Sequence, residues 1–309
     1  MKKEEFTFLS ADGQTTIHAV RWIPEGEVRA VLQIAHGMCE YIERYERFAL
    51  VLNEKGILVT GNDHLGHGQS ITDSSRLGYF ADKEGNRCVL KDLKQVGTIT
   101  KKLYPDVPYF FLGHSMGSFL CRQVIAERGK EFAGAVVMGT GNQPGIVTGL
   151  GKLICKIIAA FKGWGYHSDF VNGMAFGGYN GKFGEKGGTD WLSSNKENVE
   201  KYNADPLCGF PFTLNGYYNM FHSIHLLAKK SYISDMPREL PVLFVSGDDD
   251  PVGDFGKAPV AVSEQFKKMG MKDVSCILYP GDRHEILSEK DHETVDADIA
   301  GWLLARMPQ

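Results

Sequence analysis

A serine between two glycines, an acidic loop far downstream and a histidine loop beyond it carry most of the chemistry this sequence offers. Residues 113–117 read Gly-His-Ser-Met-Gly. In the pattern Gly-x-Ser-x-Gly the glycines leave room for a very sharp strand-to-helix turn, which lifts the serine oxygen above a sheet edge. A serine hydroxyl is a poor nucleophile until a histidine takes its proton. The histidine in turn needs a carboxylate to fix its tautomer and stabilise the imidazolium. Both partners follow in the order acid then histidine: PVLFVSGDDDPVG offers Asp248, Asp249 and Asp250, and CILYPGDRHEIL offers His284. Asp250, deepest in its loop and followed by Pro251, is the expected acid, with Asp249 as the alternative. Ser115, Asp250 and His284 are therefore the expected catalytic residues of an acyl transfer.

Such a reaction must also hold a tetrahedral oxyanion, usually on two backbone N–H groups. The amide of Met116, directly after the serine, is one expected donor, and the amide of Met38 in QIAHGMCE is the other. Asp63, His64 and His67 lie close together in DHLGHG. Their spacing does not suit a helical zinc motif, and the glycines suggest a loop bound to neighbouring backbone, so structural hydrogen bonds are expected. No metal and no cofactor is called for.

These residues have to be positioned by a sheet. EFTFLSADGQTTIHAVRWIP gives two β-rich runs around an Asp-Gly turn, which predicts an antiparallel hairpin. Short apolar runs at AVLQIAHG, GILVTGND, YFFLGHS, GAVVMGTG, PVLFVSGD and SCILYPGD then each end in a Gly-containing loop. Most are separated by segments of helical periodicity, such as CVLKDLKQVGTITKKLYP and SFLCRQVIAERGKEF. The alternation predicts an α/β fold with a mostly parallel central sheet flanked by helices.

The rhythm lapses over residues 141–237, which predicts a core of residues 1–140 and 238–309 with an inserted cap, or lid, between them. Insertions of this kind commonly sit over the strands' C-terminal edge, where ligands bind. In it, Leu150, Leu153, Ile154, Ile157, Ile158 and Phe161 recur at helical spacing. Two readings are open: a helix packed on the rest of the cap, or a partly exposed apolar lip that admits an acyl chain or touches a lipid surface. On the second reading Leu150, Ile154, Ile157, Ile158 and Phe161 are candidate substrate-binding residues.

With 309 residues the chain can bury a large core, and its net charge of -4 gives no footprint for nucleic acid. No apolar run approaches the roughly 18 residues of a membrane span. The six cysteines are scattered without a Cys-x-x-Cys pair, so buried thiols are expected rather than a zinc site or disulfide framework. The N-terminal MKKEEFTFLS lacks an apolar signal core, and a cytoplasmic location is expected.

Taken together, the motifs resemble those of the monoacylglycerol lipase and lysophospholipase group of the α/β-hydrolase superfamily, which is merged with serine aminopeptidases. HGMCEYIERY (36–45) is similar to that group's HGxxEhxxRY, and NDHLGHGQS (62–70) to its DhxGHGxS. GHSMGS (113–118) matches its nucleophile elbow, GDDD (247–250) its acid loop and YPGDRHE (279–285) its histidine loop. The resemblance spans nearly the whole core. It implies an α/β-hydrolase fold, a small-molecule acyl ester or lipid as substrate, and no cofactor, and it supports Asp250 as the acid. The cap departs from the mammalian monoacylglycerol lipases: it is longer and glycine-rich, and WLSSNKENVEKYNADPLCGF looks more like bacterial lysophospholipase-type relatives. Two other readings use the same residues. An aminopeptidase needs a carboxylate in the cap for the substrate's free amine, and Glu185, Asp190 and Glu200 are the candidates. A non-catalytic binding module on the hydrolase fold is the other.

Overall fold

In the computed structural model, which describes residues 1–185 and 187–307, the apolar runs become strands. Residues 186, 308 and 309, in the glycine-rich stretch and at the end of the second core segment, lie outside the described residues. In chain order the elements are β1 (Lys2–Leu9), β2 (Thr16–Ile23), β3 (Ala30–Ala35), α1 (Glu46–Asn53), β4 (Ile57–Asn62), α2 (Gly85–Leu103), β5 (Tyr109–His114), α3 (Met116–Arg128) and β6 (Gly134–Met138). They continue with α4 (Gly145–Lys162), α5 (Asp169–Phe176), α6 (Lys196–Ala204), α7 (Leu214–Leu227), α8 (Lys230–Ile233), β7 (Val242–Gly247), α9 (Lys257–Lys268), β8 (Val274–Tyr279) and α10 (His292–Leu304).

The strands form one sheet in the order β1-β2-β4-β3-β5-β6-β7-β8. Only the hairpin end is antiparallel; from β4 through β3 to β8 every pairing is parallel. The hairpin turns where the Asp-Gly pair predicts, with Asp12 Oδ1 accepting the amides of Gln14 and Thr15 at 2.8 and 2.9 Å. Parallel strands are covered on both faces, so they read as unbroken apolar runs. Accordingly every residue of β3 to β7 is buried.

Alternation within β5 shows how one strand serves two cores. Phe111 joins Leu93, Phe119 and Val124 on the face covered by α2 and α3, whereas Phe110 and Leu112 join Phe48, Ile299 and Leu303 on the face covered by α1 and α10. Burying such rings contributes about 1.5–3 kcal/mol each, and truncating one to alanine costs about 3–5 kcal/mol. The consequence for function is a rigid row of parallel strand ends. Loops after β3, β5, β6, β7 and β8 all emerge on the same edge, and the residues expected to act stand on them.

Between β6 and β7 the described residues form helices α4 to α8 and no strand of the sheet. The apolar stretch becomes α4 as its spacing predicts. The glycine-rich stretch is tied by Asn180, buried, whose side chain donates to Glu185 O and Asp190 Oδ2 and accepts the Trp191 amide at 2.7, 2.9 and 2.9 Å.

Candidate active site

Ser115 sits between the last residue of β5 and the first of α3, with φ 53 and ψ −119. A non-glycine residue at positive φ is held there only by its surroundings. Those surroundings are a backbone approach that forbids side chains: a Cβ on Gly113 would fall 2.1 Å from Gly117 O, and one on Gly117 would fall 2.0 Å from Ala35 O. The turn is fixed further by the Ser115 amide, which donates to Met138 O at 3.0 Å, and by the Ser118 hydroxyl, which donates to Ser115 O at 2.6 Å.

His284, on the loop after β8, meets Asp250, on the loop after β7. Nδ1 donates to Asp250 Oδ2 at 2.9 Å, and both side chains are buried. Asp250 Oδ1 accepts the Val252 amide at 2.8 Å, which keeps the carboxylate pointed. With Nδ1 carrying the proton, Nε2 holds a lone pair. That nitrogen is buried and has no hydrogen-bond partner among the described residues. The ring lies against Gly139, where a Cβ would stand 3.2 Å from Cε1, and beside the ring of Trp191 at 5.2 Å. Asp249 faces elsewhere: it pairs with Lys182 at the surface. Asp248 Oδ1 caps the opposite loop, accepting the Gly281 amide at 2.7 Å.

Met38 and Met116 come together beside Ser115 on the wall of one cavity. No acceptor within the described residues takes either backbone N–H. The loop carrying Met38 is held by Glu40, whose Oε1 accepts from the Gly37 amide at 2.5 Å and from Tyr45 at 2.9 Å, and meets His114 Nδ1 at 3.1 Å. Arg44 bridges Glu40 Oε2 to both oxygens of Glu285, at 2.8 to 2.9 Å. His114 Nε2 in turn reaches His284 O at 3.2 Å. One buried network thus joins the loop after β3, the residue before the serine and the histidine loop. Burial opposes charge on both Glu40 and His114, but their mutual hydrogen bond prevails, aided at Glu40 by the Arg44 guanidinium and at His114 by the charges of Glu40 and Glu285. The carboxyl is held well below its usual range and the imidazole above its own. Sequence reading missed Glu40, Arg44 and Glu285 as parts of the site, although HGMCEYIERY and YPGDRHE contain them.

The loop 63–67 plays the bonding role expected of it. Asp63 accepts the amides of Ile42 and Gln69, both at 2.9 Å, and binds His18 at 3.0 Å. His64 and His36 exchange contacts through ring and backbone at 2.9 and 3.1 Å, which braces the strand end leading to Met38.

The cavity measures about 630 Å³ and is lined by both Ser115 and His284. A smaller polar cavity of about 250 Å³ shares Glu40, His114 and Glu285 with it, but is lined by neither Ser115 nor His284. The larger one is within the range of small-molecule sites. The expectation for α4 needs correcting here. Leu150, Ile154, Ile157, Ile158 and Phe161 do not line the cavity; Val147, Thr148 and Gly151 of the same helix do. The buried stripe of α4 consists of Thr148, Gly151, Cys155 and Ala159, small residues that let α7 approach, and this turns the large residues outward. Leu150 is 56% exposed, Ile157 52% and Phe161 84%, while Ile154 and Ile158 are half-buried against the core. Glu185, Asp190 and Glu200 are likewise absent from the cavity wall, so none of these three carboxylates is placed to hold a substrate amine.

Comparison with known proteins bears on the family and the fold. The chain is 30% identical to the monoglyceride lipase of Mus musculus, over 97% of this chain and 90% of that one. A highly thermostable carboxyl esterase from Bacillus coagulans, solved in complex with glycerol, superposes with a TM-score of 0.90 at 29% identity, over 99% of both chains. A lipase solved in an open form gives a TM-score of 0.90 at 26% identity, over 100% of both chains. The fold is that of the α/β-hydrolases, as the motifs imply. The family described as serine aminopeptidase, S33, matches residues 26–291, and the chain belongs to it.

Proposed function

We propose that this protein is a serine carboxylester hydrolase that releases a fatty acid from single-chain acyl lipids, with monoacylglycerol the first substrate to try. The observation that carries the reading is the buried His284–Asp250 pair, its Nε2 unpartnered, in one cavity with a serine raised on a strained turn. In the mechanism, Ser115 Oγ attacks the ester carbonyl and His284 Nε2 takes its proton. Asp250 keeps the proton on Nδ1 and stabilises the imidazolium. The amides of Met38 and Met116 hold the oxyanion, each worth about 2.7–4 kcal/mol in the transition state. His284 then protonates the leaving alcohol, and water, activated by the same histidine, hydrolyses the acyl-enzyme.

The lipid substrate is supported by the named activity of the mouse relative and by the glycerol held by the Bacillus coagulans esterase. The cavity wall offers Phe119, Met220 and Ile224 to an acyl chain and polar groups, Glu40 and Glu285 among them, to a head group. We read residues 141–237 as a cap over this site. The outer face of α4, with Ile146, Leu150, Leu153, Ile157 and Phe161 all more than half exposed, suits a lip that touches a lipid surface transiently. Among the described residues no helix is long and apolar enough to cross a membrane.

The test is fatty-acid release from monoacylglycerol and from lysophosphatidylcholine of one chain length, beside an aminoacyl-naphthylamide. Turnover of either lipid alone supports the proposal and names the head group. Cleavage of the amide with neither lipid touched would replace it with the peptidase reading.

A further inference from the structure

A glycine in the middle of a helix is unfavourable relative to alanine, so a buried one asks for a reason. Gly151 lies halfway along α4, buried, on the cavity wall. A Cβ there would stand 2.9 Å from Cδ2 and 3.0 Å from Cε2 of Phe221, closer than packed carbons approach. Phe221 belongs to α7 and lines the same cavity. The other glycines of α4 are different. A Cβ on Gly145 would meet Ala228 at 3.2 Å and one on Gly149 would meet His225 at 3.6 Å, and neither glycine lines the cavity.

The Phe221 ring is half-buried and flanked within α7 itself. Tyr217, one helical turn earlier, stacks against it at 6.1 Å with an interplanar angle of 26°. Tyr217 is itself fully buried and anchored, its hydroxyl donating to Asn172 Oδ1 at 2.5 Å. With α4 on one side and Tyr217 on another, the ring also borders the cavity. Its neighbours there, Phe119, Met220 and Ile224, form the apolar lobe.

Resting on the ester-hydrolase reading above, we propose that Gly151 and Phe221 together set the longest acyl chain the cavity accepts. The missing side chain at 151 lets the ring lie back against the helix and keeps the apolar lobe open. Any side chain at 151 drives the ring into the lobe and shortens it. Removing the ring lengthens it. The pair is a specificity determinant, acting on where the chain ends rather than on the reacting ester.

The test compares kcat/KM on p-nitrophenyl esters from butyrate to arachidate for the wild type, Gly151→Ala, Phe221→Ala and the double variant, each checked for folding by thermal unfolding. The palmitate-to-butyrate ratio should fall at least about ten-fold in Gly151→Ala, because hydrophobic pockets discriminate by that much for one or two methylenes. It should return at least to the wild-type value in the double variant. Phe221→Ala should move the preferred ester to a longer chain, and this arm decides alone if Gly151→Ala does not fold. Equal losses on all esters, or an unmoved optimum in Phe221→Ala, would overturn the proposal. A wild type that cleaves no ester of any length would instead defeat the ester-hydrolase reading, and so the two failures are distinguishable.

Discussion

His284 Nδ1 stands 2.9 Å from Asp250 Oδ2, and the opposite ring nitrogen is buried without a protein partner. A buried nitrogen is usually satisfied, and one left open on a cavity wall has its acceptor capacity in reserve for a proton. The orienting carboxylate is fully buried, whereas its neighbour Asp249 is at the surface on Lys182.

Asp250→Asn is therefore expected to lower kcat by about ten-thousand-fold with the fold intact, through loss of the tautomer. Asp249→Asn breaks only an exposed ion pair and should change kcat by less than about five-fold. Steady-state kinetics on a soluble ester compares them. Equal losses would move the acid to the whole loop.

Gly117→Ala tests the turn rather than the chemistry. Its Cβ would lie 2.0 Å from the backbone oxygen of Ala35, which no rotamer change relieves. Destabilisation of at least about 3 kcal/mol is expected, a fall in Tm of about 6 °C or more. An unchanged melting curve would mean that β3 and α3 are not packed this closely.

Below about pH 6.5 three buried imidazoles should pull stability down, against Asp282 and Asp92, whose carboxyls burial pushes up to about 8 and about 6 and which gain stability as the pH falls through those values. Burial holds the imidazoles of His36, His64 and His67 neutral, with His67 pushed down to about 3. Their folded pKa values lie below the unfolded one, so the unfolded chain takes up protons first. Each ring then contributes a loss of up to about 1.4 kcal/mol per pH unit, beginning near pH 6.5. His18 and His114 are raised and act at the other end, stabilising below pH 6.5 and losing this as pH rises through their folded pKa values. Urea midpoints at pH 7.5, 6 and 5 measure the slope. His67→Phe, placed among Phe80, Phe210 and Phe212, should flatten it; an identical slope would assign the effect elsewhere.

The sheet was legible because parallel strands buried on both faces cannot hide their apolar runs, and each ends in the glycine its loop requires. The serine, acid and histidine were legible because their chemistry admits few residue types and their order along the chain follows the strands. The helices between β6 and β7 were harder. In α7 the apolar Leu214, Tyr217, Met220, Ile224 and Leu227 are interleaved with Asn215, Asn219 and Ser223, which are also buried. Asn215 and Asn219 serve the loop after β4 and the start of α2, accepting the amides of Phe80 and Asn86 at 3.0 and 2.9 Å, so polar residues occupy a buried face and blur the period. In α4 the large residues advertised a core stripe, but the stripe that packs is the small one. Size alone does not say which side of a helix finds a neighbour. The Glu40–Arg44–Glu285 network was hidden for a further reason. Each residue is an ordinary charge in the sequence, and only the fold brings residues 40 and 285 to one guanidinium.

If Ser115 carries the acyl group, its removal shows in the initial rate of fatty-acid release from monooleoylglycerol by wild type and Ser115→Ala, matched by circular dichroism. A loss of about a million-fold is expected, leaving only what the oxyanion donors and binding supply. A folded Ser115→Ala protein that keeps more than about one per cent of the wild-type rate would contradict it, because no nucleophile-dependent route could survive that substitution so well.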